Sequence, residues 1–210
     1  MLLSVMLILP LVYAQTVTIG TQVWSTKNLD VSTFRNGDTI PEVRSIFGWH
    51  DAHIEGKPAW CYYENDSKYG PKYGKLYNWY AVNDKRGLAP EGYHIPSDEE
   101  WITLLRYLGD DEGTKMKAKS GWDSWDTQKT CPKCKNWSDV YRYQVLCNNC
   151  KGNQYINVKK SGNGTNSSGF SAFPGGARDY DNDFFYLGER GYWWSSTEWG
   201  KKKCLDLHTC

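Results

Sequence analysis

The chain has 210 residues, enough for one large domain or two small ones, and it contains 11 Trp and 15 Tyr. Its formal net charge is +1, because 25 Lys and Arg are interspersed with 24 Asp and Glu. This pattern has no basic stripe, so a nucleic-acid partner is not expected, and the aromatic side chains are expected to pack mainly in the core.

The chain begins with an apolar segment. Leu2–Val12 is too short a hydrophobic run to span a bilayer, and Val12-Tyr13-Ala14 follows with small residues at the positions where a signal peptidase cleaves. No positive charge precedes the run. We predict that residues 1–14 are a signal peptide, that the mature protein starts at Gln15, and that it is secreted or held at the cell surface. No later segment has the length and apolarity of a membrane span.

The mature chain opens with a predicted pair of strands. Apolar and polar residues alternate over Thr16–Ile19, Gly20-Thr21 has turn composition, and Gln22–Trp24 continues as a second strand. The polar stretch Thr26–Lys57 carries turn signals but no strong periodicity. Pro58–Tyr63 is then predicted to be a buried strand.

Two helices are predicted next. The first covers Gly74–Val82, where apolar residues recur at i, i+3 and i+4. The second covers Ser97–Leu108, begins with a Ser-x-x-Glu capping box and ends at Gly109. A third helical turn is expected around Met116. The apolar stripes of these helices favour core packing over contact with a cofactor.

The C-terminal part is predicted to form short aromatic strands, at Phe170–Phe173, Phe184–Leu187 and Tyr192–Ser195. Turns are expected at Pro174-Gly175-Gly176 and at Gly188–Gly191. Short helices followed by short, irregular strands indicate an α+β domain, with the helices lying on a mostly antiparallel sheet.

Eight motifs, in a fixed order, together resemble one family of surface and secreted proteins of Bacteroidetes-type bacteria, the Fibrobacter succinogenes major paralogous domain. The resemblance spans about Thr16 to Glu198, which is nearly the whole mature chain. The motifs are Val17–Trp24, Asn28-Leu29, Ala59–Tyr63, Tyr73–Val82, Arg86–Ser97, Glu100-Trp101, Gly169–Gly176 and Tyr192–Thr197.

This resemblance implies a C-type-lectin-like fold, of the kind shared with formylglycine-generating enzymes and with retroelement-diversified receptors of phages and bacteria. Families on this scaffold mostly bind proteins or carbohydrates through their loops. No enzymatic activity of the family can be carried over residue by residue, and a shared fold does not establish a function.

The sequence departs from the family pattern at its C-terminal end. Relatives continue after the Trp-Ser-Ser-Thr motif with further strands, whereas Trp199–Cys210 is short, basic and divergent. A truncated or frameshifted reading frame would explain this tail, and the sheet would then be open at that edge. The expected organisation is therefore a signal peptide (1–14), a domain of the family (15–198) and a divergent tail (199–210).

A four-cysteine cluster lies in an insertion between two family motifs, over residues 128–153. Its two C-x2-C pairs can each direct two thiolates at one ion, and together they predict a structural zinc site that staples the inserted loop. Export favours disulfides instead, with Cys131–Cys150 and Cys134–Cys147 as reasonable pairs. The predicted zinc ligands are Cys131, Cys134, Cys147 and Cys150.

Cys61, Cys204 and Cys210 remain, and this odd number leaves at least one of them unpaired. Cys61 has the sequence setting of a buried strand residue, whereas Cys204 and Cys210 can pair with each other or with Cys61. The alternating acidic residues of Asp179–Asp183 suggest calcium, but their composition favours a hairpin turn. His50 and His53 stand at i, i+3 and are better explained by a solvated loop than by a metal site.

Three functions remain open from the sequence. A surface module that binds a glycan or a protein, and is not an enzyme, is favoured by export, by the family resemblance and by the aromatic residues. A structural or degenerate domain without a ligand is favoured by the short tail. A formylglycine-generating type of oxidoreductase would need a reactive cysteine pair, and Cys204 and Cys210 lie outside any matching motif.

Overall fold

A computed structural model describes residues 15–131, 155–179, 183–198 and 204–208, with only the backbone described for the last of these ranges. The predicted signal peptide therefore lies outside the described residues. The same is true of Cys134, Cys147 and Cys150 in the cysteine cluster. Within the described ranges, no helix is long and apolar enough to cross a lipid bilayer.

The described residues combine short helices with short strands. The helices are α1 (Ile46–Ile54), α2 (Gly70–Tyr73), α3 (Trp79–Val82), α4 (Asp98–Leu108) and α5 (Glu112–Met116). The strands are β1 (Thr16–Ile19), β2 (Gln22–Ser25), β3 (Trp60–Cys61), β4 (Leu76–Tyr77), β5 (Trp125–Thr130), β6 (Tyr155–Lys160), β7 (Gly175–Arg178), β8 (Phe184–Leu187), β9 (Arg190–Trp194) and β10 (Cys204–His208).

The strands form small sheets that are almost entirely antiparallel, which confirms the predicted α+β class. The largest described sheet has the order β10-β9-β7-β8, and its one parallel contact joins Gly176 of β7 to Gly191 of β9. The pairs β1–β2, β3–β4 and β5–β6 are separate two-stranded antiparallel ribbons. The first of these is the predicted N-terminal pair, which turns at Gly20 with φ +61°.

Strand β10 covers the sheet edge that was expected to be open. It pairs antiparallel with β9 over five residues, from Cys204 opposite Trp194 to His208 opposite Arg190. The expectation that the sheet lacks its C-terminal strand and is open at that edge is therefore wrong. The tail supplies a strand to this sheet.

Helix α4 forms as the sequence predicts. The hydroxyl of Ser97 accepts a hydrogen bond from the backbone N–H of Glu100, and the Glu100 carboxylate accepts one from the backbone N–H of Ser97. This capping box satisfies two N–H groups that the first helical turn cannot pair internally. The helix ends at Gly109, whose φ of +65° suits a residue without a β-carbon.

The helix predicted over Gly74–Val82 is wrong for most of its length. Gly74 has φ +70°, and a β-carbon there would lie 2.4 Å from the carbonyl oxygen of Leu29, so the chain turns sharply at this residue. Leu76–Tyr77 then pairs with β3 as a strand, and only Trp79–Val82 is helical. Pairing with a distant strand has overridden a helical periodicity that was correctly recognised.

Two other predictions also need correction. The Pro174-Gly175-Gly176 turn is wrong, because Gly175 and Gly176 begin the central strand β7. Phe170–Phe173 is not a strand, since the isolated bridge between Ala172 and Lys117 is its only ladder contact with other described residues. Helix α1 was not predicted at all.

Some of the described aromatic residues lie in the core, as expected, and most of the others are half-buried. Trp24 and Trp101 pack with ring centroids 4.7 Å apart in a cluster that also contains Leu104 and Met116, both fully buried. Backbone carbonyls accept hydrogen bonds from several of the buried and half-buried indoles, although the buried indole N–H of Trp24 has no partner among the described residues. Such N–H···O=C bonds join Trp49 to Asp179, Trp60 to Ile40, Trp101 to Trp194, Trp122 to Ala172 and Trp194 to Tyr77.

Candidate functional site

Several charged side chains form ion pairs or hydrogen bonds with other residues of the chain. The side chain of Lys75 is only 6% exposed, bonds to Asp30 and lies 4.5 Å from the ring centroid of Trp60. Arg86 pairs with both Asp84 and Asp38. These groups hold loops together, and their charges are already matched by partners within the chain.

Arg178 shows the same behaviour beside α1. Its guanidinium lies 4.5 Å from the ring centroid of Trp49 and donates to the carbonyl oxygen of Val43 at 2.8 Å. It thereby fixes the chain that leads into the helix. The outer face of α1 exposes Ile46, Phe47 and Ile54, while Trp49 and Ala52 point inward.

The acidic start of α4 is structural. Burial alone would raise the pKa of Glu100, but hydrogen bonds from Ser97 and His94 together hold that pKa below its ordinary value. His94 Nε2 lies 2.7 Å from the Glu100 carboxylate, on the exposed side of the capping box. An ionised carboxylate that accepts hydrogen bonds at a helix N-terminus stabilises the helix and does not need a catalytic role.

Cys61 is a poor nucleophile. Its thiol is fully buried in β3, and burial raises its pKa to about 11 although a hydrogen bond from Arg178 acts in the opposite direction. Only the thiolate is reactive, so this cysteine is expected to be inert near neutral pH. The prediction that Cys61 is a buried strand residue is confirmed.

The register of β5 and β6 bears on the cysteine cluster. Thr130 pairs with Tyr155, so the two strands close a loop that contains all four predicted zinc ligands. Cys131 follows the last paired residue of β5 directly, and its side chain is fully buried. The other three ligands lie outside the described residues, so zinc binding by this set stays a prediction.

The other predicted constellations form no metal site among the described residues. No three His, Cys, Asp or Glu side chains converge there as metal ligands would. The hairpin at Asp179–Asp183 is confirmed, since β7 and β8 pair on either side of it and the backbone N–H of Asp183 donates to the Asp179 carboxylate. His50 and His53 are both exposed on α1.

An open cleft of about 520 Å³ lies where the β5–β6 ribbon meets the turn between β8 and β9. Its position is fixed by backbone contacts: the N–H of Asp123 donates to the carbonyl of Gly188 at 2.8 Å, and the N–H of Gly188 donates to Pro174 at 3.0 Å. The residues that line the cleft are Asp123, Ser124, Trp125, Lys159 and Glu189.

The acidic side chains of this cleft differ from Lys75, Arg86 and Arg178, which have partners within the chain. Within the described residues, the carboxylates of Asp123 and Glu189 form neither an ion pair nor a side-chain hydrogen bond. Beside them the half-buried ring of Trp125 lines the cleft. The cleft is open and mostly polar, with Trp125 as its aromatic residue, so it offers one stacking surface surrounded by hydrogen-bonding groups.

Sequence reasoning missed this cleft. A usable signal was present in Trp122-Asp123-Ser124-Trp125, where two tryptophans flank two polar residues just before a strand. Trp122 is buried and anchors the segment, whereas Trp125 is half-buried at the cleft. The partner turn at Gly188-Glu189 is remote in sequence, so the pairing of the two segments was not predictable locally.

A comparison with models of protein families identifies the same family as the ordered motifs in the sequence. The sequence model of the Fibrobacter succinogenes major domain matches residues 17–208, and so extends beyond the limit of 198 drawn from the motifs. No curated protein and no solved structure matches the chain. Since the match covers most of the sequence, strand β10 included, the chain belongs to the Fibrobacter succinogenes major domain family.

Proposed function

We propose that this chain is a non-catalytic binding module that is exported through the signal peptide 1–14 and acts in the secreted form or at the cell surface. Its ligand is a glycan or a protein outside the cell, so the module serves recognition or adhesion. The apolar start of the chain and its aromatic composition support this proposal.

The observation that carries the proposal is that the cleft places two carboxylates, without ion-pair partners among the described residues, beside an aromatic ring. Lys75, Arg86 and Arg178 are held by partners inside the fold. The carboxylates of Asp123 and Glu189 stand without such partners beside Trp125. Polar groups that the fold does not use, placed next to an aromatic ring in a concave surface, are available to a ligand.

We also propose that the fold is C-type-lectin-like, of the formylglycine-generating type. The small antiparallel sheets, the short helices and the long connections are compatible with that fold. One core cluster joins the N-terminal ribbon, α4 and Phe170, so the two ends of the domain pack together.

The competing functions have less support. A formylglycine-generating type of oxidoreductase needs a reactive cysteine, and the burial that raises the pKa of Cys61 to about 11 disfavours that role for this residue. A structural domain without a ligand predicts no saturable binding of any kind, which the following experiment measures directly.

The mature chain, residues 15–210, should bind at least one ligand saturably when it is screened against purified glycans and purified surface proteins. Dissociation constants in the micromolar range are expected, because an open cleft buries only part of a ligand. Heat-unfolded protein serves as the control for non-specific adhesion. Absence of saturable binding to either class would contradict a binding function and favour a purely structural domain.

A second proposal concerns the cysteine loop: Cys131, Cys134, Cys147 and Cys150 hold one structural zinc ion. The Thr130–Tyr155 pair supports it, because it closes a loop that carries both C-x2-C pairs. A thiolate set of this kind would hold zinc with sulfur–metal distances of about 2.3 Å. Zinc binding and ordering of the loop would then share one free energy.

Replacing Cys147 with serine should abolish stoichiometric zinc binding and make the loop more susceptible to proteolysis, because three thiolates bind zinc more weakly than four. Elemental analysis after dialysis against a chelator measures the first effect, and limited proteolysis measures the second. Asn148→Ser, one residue away and not a ligand, should retain one zinc per chain. Wild-type protein with no zinc, and with these four cysteines unreactive to thiol reagents after denaturation, would instead establish disulfides.

A further inference from the structure

We propose that the cleft binds a neutral glycan, with one sugar ring stacked on Trp125 and its hydroxyl groups held by Asp123, Ser124 and Glu189. This inference rests on the proposed binding function and names both the site and the class of ligand. It concerns only described residues, and it requires neither a metal ion nor a covalent step.

The cleft is preorganised by hydrogen bonds within the fold. Trp122 anchors the segment that leads into the cleft, since its indole N–H donates to the carbonyl oxygen of Ala172 at 3.0 Å and its backbone N–H donates to Asn163 Oδ1 at 3.0 Å. The opposite wall is the turn at Gly188, where φ is +85° and an added β-carbon would lie 2.5 Å from the Asp123 carboxylate. Walls held in place lower the conformational entropy lost on binding.

The position of the Trp125 ring determines which of its faces can meet a ligand. Trp125 stands opposite Lys160 in the ribbon, and Lys160 Nζ lies over the ring at 5.3 Å from its centroid. This lysine occupies one face of the indole, so the proposal assigns the ligand to the other face. A sugar ring presents C–H groups to an aromatic face, which suits the apolar body of tryptophan.

The cleft also has hydrogen-bonding capacity. A carboxylate accepts through two oxygens, and a serine hydroxyl both donates and accepts, so Asp123, Glu189 and Ser124 together match a set of vicinal hydroxyl groups. A volume of about 520 Å³ lies within the range of small-ligand sites and leaves room for a short oligosaccharide.

The charge of the cleft bears on the class of glycan. Asp123 and Glu189 are negative, and Lys159 is the cationic residue among those lining the cleft. Trp125 pairs with Lys160, and neighbouring residues of a strand point to opposite faces. Lys159 therefore lies on the face of the ribbon opposite to Trp125. Together with Lys160 over the Trp125 ring, Lys159 balances the two carboxylates, so the cleft has no net charge to attract an acidic glycan and uncharged sugars are favoured.

The test uses the mature chain on an array of neutral hexose and N-acetylhexosamine oligosaccharides, next to uronic acid and sulfated oligosaccharides. Wild-type protein should bind members of the neutral set preferentially. Trp125→Ala should weaken that binding by at least about tenfold, as is usual for a tryptophan at the centre of a binding site. Trp125→Phe, which keeps an aromatic face, should retain part of the affinity.

Two further variants separate a local effect from misfolding. Glu189→Gln alters an exposed cleft residue with no ion pair or side-chain hydrogen bond among the described residues, so the fold should survive while affinity for the neutral set falls. Tyr107→Ala removes an exposed ring elsewhere, at 66% exposure, and should leave affinity unchanged. Circular dichroism confirms the fold of each variant.

The outcomes distinguish this inference from the broader function. Glycan binding that Trp125→Ala and Glu189→Gln leave intact, preference for the acidic glycans, or saturable binding to purified proteins alone would each overturn the neutral-glycan site while the binding function stands. Absence of any saturable ligand would overturn both.

Discussion

Gly176→Ala should destabilise the fold by roughly 2–5 kcal/mol, through backbone strain of about 1–2 kcal/mol together with steric overlap of about 1–3 kcal/mol. Gly176 has φ +63° in the central strand β7. A β-carbon there would lie 2.5 Å from the carbonyl oxygen of Phe185 and 2.9 Å from the backbone N of Leu187. Both are backbone atoms of β8, so relief requires the β7–β8 pairing to open. Thermal unfolding measures the effect.

The matched control is Gly113→Ala. Gly113 lies in α5, and an added β-carbon would meet no atom within 4 Å. Alanine is the better helix former by about 1 kcal/mol, so this variant should be unchanged or slightly more stable. Equal midpoints for Gly176→Ala and the wild type would show that the strand tolerates the close approach, and the description of β7 would then be wrong.

Leu104→Ala should lower the free energy of unfolding by about 2–5 kcal/mol. Its side chain is fully buried in the cluster formed by Trp24, Trp101 and Met116. Truncation removes apolar contacts and leaves a cavity lined by rigid rings, which limits relaxation of the surroundings. Urea denaturation followed by tryptophan fluorescence measures the change in stability.

Ile102→Ala on the same helix is the control, because Ile102 is 43% exposed and its truncation should lower stability by less than about 1 kcal/mol. Similar decreases in the free energy of unfolding for the two variants would mean that α4 does not bury the face that carries Leu104. Comparing two aliphatic residues of one helix separates core packing from a general effect on helix formation.

The elements with local signals were predictable. Helix α4 has its capping box, its apolar stripe and its terminal glycine within one continuous segment, and it forms accordingly. Leu76–Tyr77 was predicted to be helical from the spacing of its apolar neighbours, but it pairs as a strand with Trp60–Cys61. That partner lies outside the local segment, so the spacing alone could not reveal the pairing. Helix α1 was missed because its apolar residues lie on both its buried and its exposed faces, so no stripe stands out.

The candidate site was less predictable than the fold. The zinc ligands have a recognisable spacing because metal coordination constrains neighbouring residues. The cleft has no such spacing: Asp123 and Glu189 meet only because Gly188 accepts a hydrogen bond from Asp123. Sequence reasoning identified the family and the class of fold, but a binding surface assembled from two remote turns requires the tertiary contacts.

The β5–β6 ribbon has a consequence for the architecture of the domain. Thr130 and Tyr155 are paired neighbours, so the ends of the intervening segment are already held side by side by strand pairing. Loop-closure entropy depends only weakly on the length of the loop between two fixed ends. We therefore expect the ribbon to accept a tight turn or a foreign module in place of residues 132–154, while the core around Leu104 keeps its own contacts.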